Sequence, residues 1–224
     1  MGTILHIETA TQTCSVAISV NSNLIDTLEI HTDKYIHGTK LTELIQNILT
    51  KNCISINQLS AISISSGPGS YTGLRIGVTT AKGICYAKNI PLIAIDTLHS
   101  FESCVRHLYP GETICVMLDA RRMEVYSCIY DSNRKIIKPL SSDVLDENSY
   151  REFEPFICIG DGGTKLTSLW KGRNIIINDA PYLSARGQVE VAFKKFLSKD
   201  FVDLGSFEPN YLKEFYTEIN KPAG

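Results

Sequence analysis

The order of predicted strands and helices occurs twice along this chain. In the first half, three short β-branched segments, "ILHIE", "CSVAISV" and "LIDTLEI", precede a helix pattern and two further strand–helix pairs. From Thr113 the order begins again with the strands "ICVMLD", "EVYSCIY" and "KIIKPL". They are followed by a short helix near Glu147 to Phe153, strand "FICIG", helix "TKLTSLW", strand "NIIIN" and a helix over "SARGQVEVAFKKFL", which starts at Ser184. The residues of the two halves do not match, so the repeat is one of architecture. A duplicated βββαβαβα order predicts an α/β protein of two lobes, each a mixed sheet covered by helices.

The boundary between the two lobes is predicted at the turn signal "YPGE", Tyr109 to Glu112. It gives an N-terminal lobe of residues 1–110 and a C-terminal lobe of residues 111–224. The duplicated plan resembles the superfamily of actin, sugar kinases and heat-shock ATPases, the ASKHA proteins with ribonuclease H-like lobes. The resemblance implies that a nucleotide lies between the lobes, held by the turn after the first strand of each half.

The two turns that correspond to these phosphate-binding turns contain no glycine. They are "ETATQT", Glu8 to Thr13, and "DARRME", Asp119 to Glu124. Close approach of backbone to phosphate favours glycine, so only hydroxyl and guanidinium groups remain as contacts. The candidate contacts for a nucleotide or another anion are Thr9, Thr11, Arg121 and Arg122. The alternative for the second turn is a solvated hairpin turn without a ligand.

A further candidate is the glycine turn "GDGG", which follows the predicted strand "FICIG". In actin-like ATPases a glycine-rich turn of the second lobe contacts adenosine. The resemblance therefore makes Gly160, Gly162 and Gly163 candidate nucleotide contacts. The alternative is an ordinary strand-to-helix turn with Thr164 as the N-cap, and we favour it because it needs no ligand.

The stretch "SSGPGSYTGLRIGVTTAKGICYAK", Ser65 to Lys88, has the strand–turn–helix order of a phosphate loop. Its glycines are spaced one residue too far apart for G-x-G-x-x-G, and no Gly-Lys-Ser/Thr is present. Pro68 also removes one amide donor. The sequence therefore favours a site of close backbone packing over a phosphate-binding loop.

Small residues recur every four positions within the helix predicted in this stretch, at Gly73, Gly77 and Ala81. Each interior glycine costs about 1 kcal/mol relative to alanine, so another element is expected to pack closely on this stripe. The stripe packs either within its own lobe or against a second chain, and we predict the second. The apolar residues predicted to extend this partner interface on the preceding helix are Leu41, Leu44, Ile45 and Ile48.

Composition limits the classes of function. The 224 residues carry 22 Lys and Arg against 24 Asp and Glu, a net charge of −2, without a long basic run that would attract nucleic acid. The seven cysteines form no C-x-x-C pair and are interpreted as buried thiols of a reducing cytosol. No apolar run approaches the roughly 20 residues of a membrane span. We predict a cytoplasmic protein that does not contact membranes.

Four motifs occur in the order typical of one bacterial family: "ILHIETAT", "SSGPGSYTGLRIGVTTAKG", "LDARRMEVY" and "FEPNYLK". Over nearly its whole length the chain resembles the TsaB family, also called YeaZ. The resemblance implies an actin-like ATPase fold and a role in forming threonylcarbamoyladenosine at position 37 of tRNA. It also implies a noncatalytic subunit that holds and activates TsaD, the paralogue that transfers the threonylcarbamoyl group.

The resemblance also shows where catalytic residues would lie. In TsaD an H-x-x-x-H pair binds the metal, and the corresponding positions here are Thr97 and Phe101. Neither side chain replaces imidazole as a ligand, and the lone His99 is interpreted as a surface or capping residue. We therefore predict no catalytic residue and no metal site, which disfavours a metal-dependent glycoprotease. The glycine-free turns likewise disfavour a small-molecule kinase.

Three further expectations concern binding. No cofactor is expected to bind tightly, and ATP or ADP is expected to bind weakly, either to the isolated chain or only in a complex. The implied partners are TsaD and, in a larger complex, the ATPase TsaE. An isolated chain is expected to pair with a second copy, and any tRNA contact is expected only through the complex.

Overall fold

The computed structural model describes residues 2–33 and 36–212. Within these ranges, ten strands form two five-stranded sheets. The first sheet contains β1 (Thr3–Glu8), β2 (Thr13–Val20), β3 (Asn23–His31), β4 (Ala61–Ser65) and β5 (Leu92–Ile95). The second contains β6 (Ile114–Asp119), β7 (Glu124–Tyr130), β8 (Ile136–Val144), β9 (Phe156–Ile159) and β10 (Ile175–Asn178). The described α-helices are α1 (His37–Lys51), α2 (Tyr71–Lys88), α3 (Thr97–Val105) and α4 (Val189–Ser198).

Both sheets have the same topology. The strand orders are β3-β2-β1-β4-β5 and β8-β7-β6-β9-β10 when read from the same end. In each sheet the first three strands pair antiparallel, and the last two join in parallel. The central strands β1 and β6 are buried along most of their length, as expected for a sheet covered on both faces. The predicted duplication is confirmed at the level of the strands.

The second lobe contains less α-helix than predicted. The helices predicted over Glu147 to Phe153 and over "TKLTSLW" are 3-10 turns, at Arg151–Phe153 and Asp161–Leu166. The helix predicted from Ser184 begins as the 3-10 turn Ala185–Gln188 and becomes α-helical only in α4. Short segments gain too few hydrogen bonds to offset helix nucleation, and glycine lowers helix propensity further. The predicted order was therefore wrong for two helices of the second half.

Helices α1 and α2 lie side by side on one face of the first sheet. Ser70 is the N-cap of α2, and its hydroxyl oxygen accepts a hydrogen bond from the Gly73 amide at 3.2 Å. Asn89 is the C-cap, with a φ of 52° in the left-handed region typical of helix C-termini. The inward residues of both helices pack with β1, β2 and β4 to form the main core of the first lobe. Among the described residues, no helix is both long enough and apolar enough to cross a membrane.

The other two helices cross between the lobes. Helix α3 follows the first sheet in sequence, but Leu98 and Phe101 pack with residues of β6, β7 and β9 in the second. Helix α4 follows the second sheet, but Ala192 packs with Ile4 and Ile93 of the first. Each sheet is therefore covered on one face by a helix from the other half of the sequence.

The chain after α4 also packs on the first lobe. Val202 forms a β-bridge with Leu92 at the edge of the first sheet, and the Asn210 amide donates to the Ser66 carbonyl oxygen at 2.6 Å. The predicted C-terminal lobe of residues 111–224 therefore requires a correction, because its described residues from Ser184 onward lie on the N-terminal lobe. The turn at residues 109–112 separates the two sheets in sequence. It does not separate the two lobes as they are packed, because the chain from Ser184 onward returns to the first lobe.

Candidate functional site

Glu8 ends β1 at the turn expected to face a phosphate, but its carboxylate points into the protein and is fully buried. One carboxylate oxygen accepts the Ala10 amide at 2.8 Å. The other accepts the Ser65 hydroxyl and, at 3.3 Å, the side-chain amide of Gln188. Burial raises the pKa of Glu8 to about 6, and these hydrogen bonds oppose that rise. Both oxygens are occupied by protein donors, so Glu8 is not free to bind a ligand.

A buried polar network connects Glu8 with the segment before α4. The two ring nitrogens of His6 lie 2.7 Å from the Ser63 hydroxyl oxygen and 2.8 Å from that of Ser19. The Ser63 hydroxyl donates to the side-chain carbonyl of Gln188 at 2.6 Å. Burial lowers the pKa of His6 to about 3, which keeps the ring neutral at ordinary pH. The network attaches the Gln188 segment to the polar face of the first sheet.

The glycine turn before α2 packs against the protein itself. A Cβ atom at Gly67 would lie 2.5 Å from the Asn210 carbonyl oxygen, and one at Gly69 would overlap the Ala10 carbonyl oxygen. The Ser70 amide donates to that same Ala10 oxygen at 2.7 Å. Glycine allows this close backbone approach. The turn is therefore a site of close backbone packing, as the sequence favoured, and the amides of Gly67 and Ser70 donate to protein oxygens rather than to an anion.

The threonines proposed as nucleotide contacts are used within the first lobe. Thr9 is fully buried, and its backbone oxygen and hydroxyl occupy the space that Cβ atoms at Gly73 and Gly77 would need. The assignment of Thr9 as a nucleotide contact is therefore wrong, because helix α2 covers it. The Thr11 carbonyl accepts a hydrogen bond from Nε2 of His37 at 2.9 Å, and the residue is half-exposed, so its assignment stays a prediction.

The stripe of small residues on α2 faces the interior of the first lobe. A Cβ atom at Gly77 would overlap the Thr9 hydroxyl and lie 2.9 Å from the Ile64 side chain. Ala81 is fully buried in the same core. The apolar residues of α1 in that core include Leu41, Leu44, Ile45 and Ile48. The predicted partner interface through Gly73, Gly77, Ala81 and these four residues is therefore wrong, because the lobe's own strands and turn cover them.

The opposite face of α2 is open, together with the adjacent start of α1. Its residues on α2 recur at helical spacing and are Ile76, Thr79, Thr80 and Gly83. A Cβ atom at Gly83 would meet no atom within 4 Å. A shallow cavity of about 370 Å³ is lined by Gly38, Arg75, Ile76, Thr79 and Thr80. We call this surface the α1–α2 face; the sequence analysis missed it because small residues occur at helical spacing on both sides of the helix.

The turn between β6 and β7 is exposed. The Asp119 side chain accepts the Arg121 amide at 3.1 Å and forms an ion pair with Lys165. Arg121 and Arg122 have φ values of 71° and 49°. Within the described part of the chain, neither guanidinium group forms a hydrogen bond or an ion pair. Their assignment as anion contacts stays a prediction.

The glycine turn of the second lobe packs on its own sheet. A Cβ atom at Gly162 would lie 2.9 Å from the carbonyl carbon of Leu118, and one at Gly163 would lie 2.6 Å from Sγ of Cys158. One at Gly160 would overlap a backbone oxygen of β6. These glycines allow the turn to pack closely on strands β6 and β9, and their assignment as nucleotide contacts stays a prediction.

Thr164 is not the N-cap that the sequence indicated. It lies inside the 3-10 turn that begins after Gly160, and its hydroxyl donates to the Asp161 carbonyl oxygen at 2.8 Å. The Asp161 side chain instead accepts the Asp119 amide at 2.9 Å, which ties this turn to the end of β6. Burial raises the pKa of Asp161, although the Asp119 amide opposes the shift.

Apolar side chains fill the contact between the lobes. Ala10 and Leu74 of the first lobe cluster with Leu98, Phe101 and Leu118, and all five are buried. This part of the contact between the lobes is therefore apolar.

The two positions that correspond to the metal-binding histidines of TsaD have structural roles. The Thr97 hydroxyl oxygen accepts the Gly67 amide at 3.1 Å, and Phe101 belongs to the apolar cluster between the lobes. The His99 side chain packs edge-on against the ring of Tyr130, with centroids 6.0 Å apart. Within the described residues, no three His, Cys, Asp or Glu side chains are arranged to hold a metal ion.

The known proteins to which this chain is similar have names that refer to the threonylcarbamoyl modification of tRNA. The sequence model described as "TsaD: tRNA N6-adenosine threonylcarbamoyltransferase" matches residues 9–177. A relative from Escherichia coli (strain K12), named tRNA threonylcarbamoyladenosine biosynthesis protein TsaB, is 26% identical and covers 94% of this chain and 94% of its own length. A relative of the same name from Haemophilus influenzae is 25% identical and covers 99% of this chain and 98% of its own length.

The solved structure of YeaZ from Pseudomonas aeruginosa has the same fold, with a TM-score of 0.82 at 20% identity. The match covers 95% of this chain and all of that chain. Two mixed sheets of equal strand order, joined by crossing helices, define a two-lobed α/β protein of the actin-like ASKHA class. The chain belongs to the TsaD family of sequences and, within it, to the TsaB (YeaZ) group. The resemblance drawn from the four motifs is confirmed.

Proposed function

We propose that this chain is a noncatalytic subunit of the machinery that forms threonylcarbamoyladenosine in tRNA, and that it holds a catalytic TsaD partner in its active geometry. The assignment to threonylcarbamoyladenosine formation is supported by the names of its relatives, which are tRNA threonylcarbamoyladenosine biosynthesis proteins. One structural observation carries the noncatalytic role: at the positions of the TsaD metal pair, Thr97 caps a backbone amide and Phe101 packs in a core. Neither side chain offers an imidazole, and the buried carboxylate of Glu8 is engaged within the protein.

The α1–α2 face is the surface proposed for the TsaD partner. Its small side chains at Thr79, Thr80 and Gly83 allow a facing helix to approach closely, and Ile76 offers apolar contact. The sequence model that matches this chain is that of the TsaD family itself, so the proposed partner has a related fold. Two related chains can pair through equivalent helices in a pseudo-two-fold arrangement. The same face would pair two copies of the isolated chain when no partner is present.

The proposal is tested by reconstitution with the TsaD protein of the same organism, TsaE, tRNA and the threonylcarbamoyl donor. We expect no transfer by this chain alone, low transfer by TsaD with TsaE, and full transfer only when this chain is added. A Thr79→Trp variant should lose both TsaD binding and activation, because the larger side chain occupies the cavity, while its melting temperature stays within about a degree of wild type.

Two results would contradict the proposal. Transfer by this chain in the absence of TsaD would make it an enzyme. Transfer by TsaD and TsaE that does not change when the chain is added would remove the activating role. Sedimentation of wild type and Thr79→Trp, each without TsaD, separately tests whether the α1–α2 face also pairs two copies.

A further inference from the structure

The last described residues of the chain lie beside the α1–α2 face. We call residues 207–212 the strap, because they run along helix α2 in the opposite direction. The Lys82 ammonium group, in the second half of the helix, donates to the Phe207 carbonyl oxygen at 3.1 Å. The ring of Tyr211 lies 4.9 Å, centroid to centroid, from the ring of Tyr71 in the first turn of the helix. The strap therefore runs toward the beginning of α2.

The strap borders the α1–α2 face directly. A cavity of about 340 Å³ is lined by residues of α2 on one side and of the strap on the other. Arg75 and Thr79 line this cavity, and the same two residues line the cavity of the α1–α2 face. The Asn210 amide fixes the strap by donating to the Ser66 carbonyl oxygen at 2.6 Å. The residues that follow Leu212 therefore start at one edge of the α1–α2 face.

The sequence that follows the strap has an apolar pattern. Leu212, Phe215, Tyr216 and Ile219 fall at positions i, i+3, i+4 and i+7, which is the spacing of one apolar helix face. Segments that stay solvated are usually poor in aromatic and β-branched residues. The sequence of residues 212–219 therefore predicts an amphipathic helix whose apolar side packs on another surface.

The α1–α2 face matches such a helix in length and in chemistry. From Arg75 to Gly83 it extends for about 12 Å along α2, and a helix of residues 212–219 is also about 12 Å long. Its side chains at Thr79 and Gly83 are small, so a facing helix can approach closely. Just beyond the face, at helical spacing from Gly83, the ring of Tyr86 is 84% exposed and offers apolar contact. When extended, residues 213–224 reach up to about 40 Å, so the connection to the strap is long enough.

We propose that residues 213–224 cover the α1–α2 face of their own chain when no partner is bound, with Phe215, Tyr216 and Ile219 packed on it. Attachment through the strap raises the effective concentration of this segment to roughly millimolar values, so a weak contact is sufficient to populate the covered state. The segment then competes with TsaD for one surface, and this competition rests on the proposed function. The apparent affinity for TsaD is reduced by the fraction of chains whose face is open.

The first experiment measures access to the α1–α2 face without a partner. The full chain carries Cys53→Ser/Thr79→Cys, which places a thiol on the face, and the other six native cysteines are buried. The serine variant adds Phe215→Ser/Tyr216→Ser/Ile219→Ser to this chain. We expect its labelling by a maleimide, followed by mass spectrometry, to be at least about fivefold faster, as for a face that is covered in about four chains of five.

Two controls accompany the labelling. Glu214→Gln/Lys221→Gln changes the same segment but keeps its apolar residues, and it should leave the labelling rate unchanged. A thiol introduced by Lys135→Cys, at an exposed position of the second lobe, should react at one rate whichever segment is present. Equal labelling at position 79 in the serine variant and the unchanged segment would overturn the proposal. Slow labelling that appears only at high protein concentration would assign the cover to a second copy and would overturn it too.

The second experiment measures the competition, by calorimetry with purified TsaD of the same organism. Phe215→Ser/Tyr216→Ser/Ile219→Ser in the otherwise native full chain should bind TsaD at least about fivefold more tightly than wild type does, because no segment has to be displaced. Weaker binding would make the segment part of the TsaD contact, and unchanged binding would place TsaD elsewhere; either result overturns the competition. If neither protein binds TsaD, the proposed function is overturned, and the labelling rates alone decide whether the segment covers the face.

Discussion

His6 and Glu8 lie two residues apart on β1. Burial favours the neutral form of each side chain, so it lowers the pKa of His6 and raises that of Glu8. The pKa of His6 falls to about 3, so the unfolded chain binds the proton more readily, and stability is lost as pH falls below about 6.5. The pKa of Glu8 rises to about 6, so the folded chain binds the proton more readily, and stability is lost as pH rises from 4.5 through about 6. The two residues of one network therefore give opposite pH dependences.

Glu8→Gln removes one of these titrations. We expect the free energy of unfolding of the variant, relative to wild type, to increase by about 2 kcal/mol between pH 4.5 and about 6.5, because only wild type must ionise a buried carboxyl group. Urea denaturation of both proteins across this range measures the difference. A difference that does not change with pH would show that Glu8 titrates as it does in the unfolded chain.

His6→Gln should change stability with the opposite sign. Relative to wild type, the variant should gain stability as pH falls below about 6.5, with a slope approaching about 1.4 kcal/mol per pH unit, because only wild type resists protonation of a buried ring. The same denaturation series provides the measurement. Parallel curves for variant and wild type would contradict the assignment of a neutral, buried His6.

Sequence reasoning selected the threonines beside Glu8 and missed the network itself. His6, Ser15, Ser19 and Ser63 alternate with apolar residues along their strands, and such alternation usually indicates a solvated sheet face. In the structure they are fully buried, because the segment around Gln188 covers them. That segment lies more than a hundred residues away in sequence from all four, so no local pattern could reveal the contact.

At the scale of one element, helix α2 provides a matched pair of glycines on its two faces. Gly77→Leu should lower the melting temperature by several degrees, because the Thr9 hydroxyl and the Ile64 side chain already fill the space. Gly83→Leu should keep or slightly raise it, because the position is open and leucine is the better helix former. Thermal unfolding followed by circular dichroism compares the two. An unchanged melting temperature for Gly77→Leu would place the stripe outside the core.

The bounds of α1 and α2 were predictable, but their orientation was not. The spacing of the apolar residues in α1 indicates which of its faces is buried. Ser70 and Asn89, residue types that are common at helix caps, lie at the two ends of α2. The small stripe of α2 correctly indicated close packing. It did not indicate the packing partner, because a glycine stripe fits a facing backbone from the same lobe or from another chain equally well.

At the scale of the whole molecule, the crossing of α3 and α4 makes the two halves interdependent. A fragment of residues 1–110 should fail to fold, because Ile4, Ile93 and Ile95 lose the apolar cover of α4. Joining residues 184–212 to residues 1–96 through a flexible linker should restore a folded first sheet. Dispersed amide signals in the nuclear magnetic resonance spectrum report folding of each fragment. A folded monomer of residues 1–110 would show that the lobe is autonomous.

The two turns that correspond to phosphate-binding turns limit nucleotide binding. We expect the isolated chain to bind ATP with a dissociation constant above about 100 µM, weaker than about −5.5 kcal/mol, because residues 8–13 and 119–124 contain no glycine and the glycine turns elsewhere pack on protein. Calorimetry with ATP and magnesium measures this affinity. A sub-micromolar dissociation constant would require an open phosphate-binding site. It would favour the alternative that the chain is a small-molecule kinase.

The sequence by itself determined the strands, the duplicated order, the two main helices and the family. These follow from local periodicity, turn chemistry and ordered motifs, which depend on residues close together in the chain. Only the tertiary structure decided which face of α2 is covered, that Glu8 is buried rather than exposed to a ligand, and that residues from Ser184 onward return to the first lobe. The physical reason is that burial depends on what packs against a residue, and here the covering segments come from the opposite half of the chain.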